Sequence, residues 1–121
     1  MSITTELLLD TTVYGTASGN YDGSSQDFHG NGVTAANYYG GHGSVQTVTI
    51  QVTGFIGIIT LQATLDDSLG AAKWFDVYTY GDGITEYTET HPANIIGNFV
   101  WMRARVTGFD AGTINSISIA Y

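Results

Sequence analysis

Apolar and polar side chains alternate along several short runs of this chain, and this two-residue period limits its fold more than any other feature. Over 44–53, Val48, Ile50 and Val52 alternate with threonine and glutamine. Successive side chains of a β-strand point to opposite faces of a sheet, so this run predicts a strand with one buried face. The period returns over 58–65, which predicts a second strand of the same kind.

Further runs bring the predicted number of strands to about six to eight. They cover 74–80, 84–90, 99–106 and 114–121. Over 99–106 the alternation predicts two faces, one formed by Val100, Met102, Ala104 and Val106 and the other by Phe99, Trp101, Arg103 and Arg105. A first strand is predicted over 3–14. There the run Leu7-Leu8-Leu9 fits either a strand buried on both faces or a short helical turn, and the neighbouring threonines favour a strand.

Glycines mark the predicted turns between these strands. The segment from Gly54 to Gly57 predicts a hairpin that joins 44–53 to 58–65. Gly81-Asp82-Gly83 predicts a turn that lets 84–90 pair back against 74–80. A long Gly-rich stretch at about 15–43 is predicted to be a loop or an assembly segment with room for a short strand at 33–39.

Length and composition favour one all-β domain. A chain of 121 residues can build one hydrophobic core, and sixteen glycines with many β-branched and aromatic residues favour strands over helices. No segment has the period of a convincing helix. The sequence therefore predicts one domain over 1–121, an antiparallel β-sandwich of jelly-roll type.

The charge balance argues against two classes of partner. Eleven acidic residues face only Lys73, Arg103 and Arg105, which gives a formal net charge of −8. Such a field repels nucleic acid and anionic membrane surfaces, so neither is expected as a partner. The N-terminus lacks the basic and apolar regions of a signal peptide, which predicts synthesis and release in the cytosol.

Residues that could bind a metal are few and scattered. The three histidines, His29, His42 and His91, have no ligand spacing, and the chain has no cysteine, so no transition-metal site is expected. Asp22 and Asp27 flank a Gly-Ser-Ser-Gln segment and are weak calcium candidates. Because the alternating carboxylates of a calcium loop are missing, solvated loop acids are the preferred interpretation.

No pattern of catalytic residues stands out. Asp66 and Asp67 are adjacent, and neighbouring side chains on a strand point apart, so a turn explains the pair better than paired catalytic carboxylates. No serine lies in a Gly-x-Ser-x-Gly context, and no phosphate-binding glycine motif is present. The sequence therefore predicts a protein that is not an enzyme and needs no cofactor.

Aromatic and arginine side chains are the most suggestive candidates for contact with a partner. Several aromatic rings lie in or beside predicted loops, where a ring can stack on a sugar or on a neighbouring subunit, although core packing explains about half of such rings. Two arginines share a predicted face with a tryptophan, where they could pair with acids or stack on that ring. The candidates for an interface or a glycan site are Tyr21, Phe28, Tyr38, Tyr39, Tyr78, Tyr80, Trp101, Arg103 and Arg105.

A linked series of motifs over 54–121 resembles a known group of proteins. One strand ends in Leu-Gln-Ala-Thr-Leu-Asp, Trp74 opens the next, a Gly-Asn-Phe segment leads into Arg-Ala-Arg-Val, and the last strand begins with Gly-Thr-Ile. The series resembles small β-sandwich structural proteins of tailed phages, especially contractile-tailed phages of cyanobacteria. The resemblance implies a sandwich fold and a place in the virion, and it brings no catalytic residues with it.

Two functions follow as expectations. The first is a virion structural protein, such as a capsid decoration, neck or tail-associated subunit, that docks on other virion proteins. Since a weakly charged sandwich has few lysines to protect its exposed strand edges, we expect the chain to form a homo-oligomer, a trimer or a larger ring. The alternative is a carbohydrate-binding module that attaches to glycans of the host surface.

Overall fold

A computed structural model describes residues 5–36, 45–66 and 73–121. These residues form eight strands and no helix. The strands are β1 (Thr5–Leu9), β2 (Thr12–Val13), β3 (Phe28–His29), β4 (Val33–Thr34), β5 (Val45–Thr64), β6 (Phe75–Tyr80), β7 (Tyr87–Ile96) and β8 (Trp101–Ala120). No helix that could cross a membrane occurs among the described residues. The prediction of an all-β chain is confirmed.

All eight strands belong to one antiparallel sheet built around β5 and β8, which have 20 residues each. These two strands pair with each other from Thr47–Ala120 to Thr64–Trp101. We call the part with the strand order β7-β5-β8-β1 half A, and it uses 45–52 of β5 and 114–120 of β8. Half B uses 58–64 of β5 and 101–107 of β8, with β6 at one edge and with β3 and β4 at the other.

Both long strands bend between the two halves. Their pairing register shifts at Thr53/Ile56 and at Ile56/Ile58, which is how bulges bend a strand. Gly112 in β8 has a φ of 91°, and a Cβ atom there would lie 2.2 Å from the carbonyl oxygen of Gly54. Only glycine allows both this backbone conformation and this close approach of the two strands.

The hairpin predicted at Gly54 to Gly57 is therefore wrong. The chain does not turn back there, because 45–52 and 58–64 both pair with β8 and belong to one strand. The buried positions instead change phase across the bend, from Val52 to Phe55. Likewise, the two strands predicted over 99–106 and 114–121 are parts of β8.

Two other predictions about pairing need correction. The run 84–90 does not pair with 74–80, because β6 pairs with Ile59–Ala63 of β5 whereas β7 pairs with its other end from Val45. Both strands pair with the edge of β5 opposite β8, β7 before the bend and β6 after it. The predicted first strand is interrupted at Asp10 and Thr11, where Thr11 Oγ1 donates instead to the backbone oxygen of Asn115.

The inward side chains of both halves form one hydrophobic core. Val48, Ile50 and Val52 are buried as predicted, and so are Met102, Ala104 and Val106. Under the bend, Phe109 lies at the centre of a ring cluster, with its centroid 5.3 to 5.9 Å from those of Tyr14, Tyr21, Phe28 and Phe55. This cluster joins the Gly-rich segment to the long strands.

The described part of the segment predicted over 15–43 is integrated into the fold. Residues 28–29 and 33–34 form β3 and β4, and both pair with β8. Ser18 and Tyr21 form an isolated bridge, and the amide of Phe109 donates to the backbone oxygen of Gln26. Residues 37–43 lie outside the described residues, and the assembly role of the segment stays a prediction.

Candidate functional site

Three aromatic candidates belong to the core rather than to a contact surface. Tyr21, Phe28 and Tyr80 are only 1%, 8% and 6% exposed. Their rings are therefore not available for stacking on a sugar or a neighbouring subunit, and these predictions are corrected. Tyr38 and Tyr39, which were also predicted, lie outside the described residues.

The outer surface of half B carries the predicted group of Trp101, Arg103 and Arg105. Alternation along β8 points these side chains away from the buried Met102, Ala104 and Val106. The guanidinium of Arg103 lies 4.5 Å from the ring centroid of Trp74, so Trp74 is an aromatic partner of Arg103. We call the outward surface around Arg103 and Arg105 the basic face.

A chain of hydrogen bonds fixes Arg103 across three strands. Arg103 Nε donates to Gln62 Oε1 at 2.8 Å, and Gln62 Nε2 donates to Asp76 Oδ1 at 2.9 Å. Alternation predicts an outward side chain for Gln62 but not its neighbours. These depend on β5 pairing with both β6 and β8, which local sequence does not show. Trp74, Gln62 and Asp76 are the site residues that sequence reasoning missed.

The two arginines of the basic face form no ion pair with any carboxylate among the described residues. Within the described ranges the only ion-pair contact joins His91 to Glu89, so neither arginine has one. Desolvation, together with the neighbouring Arg105, lowers the pKa of Arg103. Two like charges on one side of the sheet repel each other, and an anion bound there would relieve that repulsion.

Acidic side chains gather at the bend. Asp110 lies in the bend of β8, Asp27 Oδ1 accepts a hydrogen bond from the amide of Gly108 at 3.1 Å, and Glu86 lies beside Gly54. Asp82 belongs to a turn whose Gly83 amide donates to the backbone oxygen of Gly57. These four residues, Asp27, Asp82, Glu86 and Asp110, form what we call the acidic end.

The two calcium candidates have structural partners of their own. Asp22 accepts hydrogen bonds from the amides and hydroxyls of Ser24 and Ser25, which lower its pKa to about 2. The Asp27 carboxylate accepts a hydrogen bond from the backbone amide of Gly108 at the bend. Among the described residues, no three histidine, aspartate or glutamate side chains come together as a metal-binding group.

Tyr78, another predicted contact residue, joins the two halves. Its hydroxyl lies 2.6 Å from His91 Nε2, and the Tyr80 hydroxyl donates to Glu89 Oε2 at 2.8 Å. The tyrosines belong to β6 and the partners to β7, two strands that do not pair with each other. Burial and the contact with Glu89 raise the pKa of Tyr80 well above its usual range. These side-chain bonds therefore replace a backbone ladder between β6 and β7.

Comparison with protein-family models, curated proteins and solved structures finds no match. What the molecule does must therefore follow from its own surfaces. Besides the basic face and the acidic end, the molecule has one large uncharged surface.

The outer surface of half A presents uncharged side chains, most of them short. Alternation from the buried positions points thirteen side chains outward on its four strands, and we call them the neutral face: Thr5, Leu7, Val45, Thr47, Thr49, Gln51, Thr90, Pro92, Asn94, Ile96, Ser116, Ser118 and Ala120. Several bond to each other, as when Thr47 Oγ1 donates to Asn94 Oδ1 at 2.8 Å. A shallow cleft of about 330 Å³ adjoins the face near the bend, lined by Gln51, Val52, Thr53, Thr88, Glu89, Thr90 and Asn115.

Proposed function

We propose that this chain is a structural accessory subunit of a tailed-phage particle, a capsid decoration, neck or tail-associated protein that acts by self-assembly and by docking on other virion proteins. The observation that carries the proposal is the neutral face. Charged residues are depleted at the centres of protein interfaces, because a charge that loses water there is costly. A four-stranded surface of uncharged side chains, most of them short, fits such a contact.

Ordering this surface on binding costs little. Threonine, serine and asparagine side chains have few rotatable bonds, and on the neutral face several are already held by hydrogen bonds such as that between Thr47 and Asn94. The resemblance of 54–121 to virion proteins of tailed phages supports the same function. We propose the virion as the location on these grounds.

We also propose that the sheet forms a two-layered sandwich of jelly-roll type. Strand order supports it, since half A has the order β7-β5-β8-β1 and half B has β6-β5-β8 with β3 and β4 at the far edge. The strands that pass from one half to the other do so at bends. The inward side chains of both halves also share one core, as in two layers packed face to face.

Particle incorporation tests the function. Tagged wild-type chain and two variants would be expressed during infection, and their copies per purified particle counted by mass spectrometry. We expect wild type and Thr79→Lys to be incorporated and Thr90→Lys to be reduced at least about tenfold, a loss of about 1.4 kcal/mol in docking. Both threonines are exposed and lie on edge strands, but only Thr90 lies on the neutral face.

Two results would contradict this function. Absence of the wild-type chain from purified particles would remove the virion role. Equal incorporation of the two lysine variants, with circular dichroism spectra like that of wild type, would remove the neutral face as the docking surface.

A second candidate function, carbohydrate binding, is favoured by the cleft beside the neutral face. Gln51, Thr88, Thr90 and Asn115 are among its lining residues, and amide and hydroxyl groups of this kind can hydrogen-bond to sugar hydroxyls. Its volume of about 330 Å³ is within the range of small-molecule sites. A glycan array probed with wild type and with Asn115→Ala tests it, and binding that the substitution leaves unchanged would argue against the cleft.

A further inference from the structure

The basic face and the acidic end carry opposite charges on different surfaces of one molecule. Arg103 and Arg105 are two of the three cations in the chain, and both project from 101–107 of β8. The acids of the bend come from β8 itself, from the turn before β7 and from the Gly-rich segment. Each surface leaves its charge uncompensated by ion pairs within the described parts of the chain.

We infer that copies of this chain associate head to tail, with the basic face of one copy on the acidic end of the next. The inference deepens the self-assembly part of the proposed function and rests on it. Because the two surfaces differ, the contact is heterologous, and repeating it closes a ring or extends a filament.

The side chains of the basic face are arranged so that Arg103 can bind a carboxylate. Arg103 is held by Gln62 through Nε and by the Trp74 ring, while its terminal nitrogens have no hydrogen-bond partner among the described residues. A planar guanidinium with free terminal nitrogens can bind a carboxylate through two parallel hydrogen bonds. Since its side chain is already ordered, little rotamer entropy is lost when a carboxylate binds.

The acidic end supplies suitable carboxylates. Glu86 is exposed, and its carboxylate has no hydrogen-bond or ion-pair partner within the described ranges. Asp110 is also exposed and accepts a hydrogen bond from Gln26. Two molecules with a net charge of −8 repel each other at long range. A contact that puts the arginines of one copy on the acids of the next removes part of that repulsion, which selects this arrangement over a contact between like surfaces.

Sedimentation velocity of the full chain tests the inference. We expect wild type to form oligomers at low salt and to dissociate near 1 M salt, where screening acts within about 3 Å. Arg105→Glu and Glu86→Lys should each weaken association at least about tenfold. Glu6→Lys makes the same charge change as Glu86→Lys on an exposed residue of β1, so it serves as the control and should associate like wild type.

Mixing the two variants provides the decisive measurement. Arg105→Glu keeps an intact acidic end, and Glu86→Lys keeps an intact basic face, so an equimolar mixture should form heterodimers although neither variant associates alone. Failure of the mixture to associate, or a wild-type chain that stays monomeric at about 1 mM and low salt, would overturn the inference.

Other outcomes separate competing explanations. If a polyuronate such as alginate binds monomeric wild type and Arg105→Glu abolishes that binding, the basic face serves an acidic glycan and the self-association inference is wrong. Absence of the chain from phage particles would refute the virion role but would leave the sedimentation result intact, so the two failures can be told apart.

Discussion

Replacing Gln46 with leucine should remove a large fraction of the stability of the fold. Gln46 is fully buried on β5, and its Nε2 donates to the backbone oxygens of Ile95 at 2.7 Å and Gly97 at 3.2 Å. Its Oε1 accepts from the amide of Ala36 at 3.1 Å. One side chain thus connects the end of the Gly-rich segment to β5 and to the end of β7.

The magnitude follows from the groups that lose a partner. A buried polar group left without a hydrogen bond costs about 1–3 kcal/mol, and the Ala36 amide and the Ile95 carbonyl are two such groups. Gly97 is half-buried, so water can replace its lost donor. Leucine returns about 1 kcal/mol through its added apolar surface. The net loss should be about 1–5 kcal/mol, out of a total of about 5–15 kcal/mol for a typical domain.

Urea unfolding followed by tryptophan fluorescence measures this loss. The control is Gln51→Leu on the same strand, where the side chain is exposed and the change should alter the unfolding free energy by less than about 0.5 kcal/mol. A Gln46→Leu variant as stable as Gln51→Leu would refute the reasoning. It would mean that apolar packing compensates for the lost hydrogen bonds.

Three further predictions concern other parts of the structure. Tyr80→Phe removes the hydroxyl bound to Glu89 and should cost about 1–2 kcal/mol. A double-mutant cycle with Glu89→Ala, which removes the acceptor, measures the coupling, and zero coupling would refute the bond. Gly112→Ala should lower stability in a thermal melt by at least about 2 kcal/mol, because its Cβ meets the carbonyl oxygen of Gly54. The control, Gly15→Ala, also has positive φ but open space around the Cβ, and should cost about 1 kcal/mol. Asp22 has a folded-state pKa lowered from 3.8 to about 2, so its stabilising effect is present above the unfolded pKa and is lost as pH falls through the folded one. Asp22→Asn should therefore flatten the acid-induced loss of stability between those two values, and an unchanged slope in acid titrations would contradict this.

Local sequence was sufficient to predict the strands but not their connections. The two-residue period identified the buried faces of 48–52 and 102–106, because a half-buried strand requires it. The glycines from Gly54 to Gly57, however, predict a hairpin, and this prediction is wrong. Glycine permits a turn and a bend equally well, and the choice between them depends on the matching bend around Gly108 and Gly112, more than 50 residues away.

The candidate sites show the same limit. Tyr21 and Phe28 stand in a Gly-rich stretch that resembles an exposed loop, yet they are buried because Phe109, more than 80 residues later, lies beneath them. The outward direction of Arg103 could be predicted from alternation. Its contacts with Gln62 and Trp74 could not, since they depend on β5 pairing with β8 and on β6 pairing with β5.

A single strand, β8, contributes to the basic face, the acidic end and the neutral face. Arg103 and Arg105 project from its first part, Asp110 from its bend, and Ser116 and Ser118 from its last part. The bend therefore sets the directions of the neutral face and the basic face relative to each other. A substitution at the bend that still folds, such as Gly112→Ala, would redirect one docking surface against the other without changing the residues of either. Because the acidic end lies at the same bend, such a variant should lose closed oligomers, which sedimentation velocity detects.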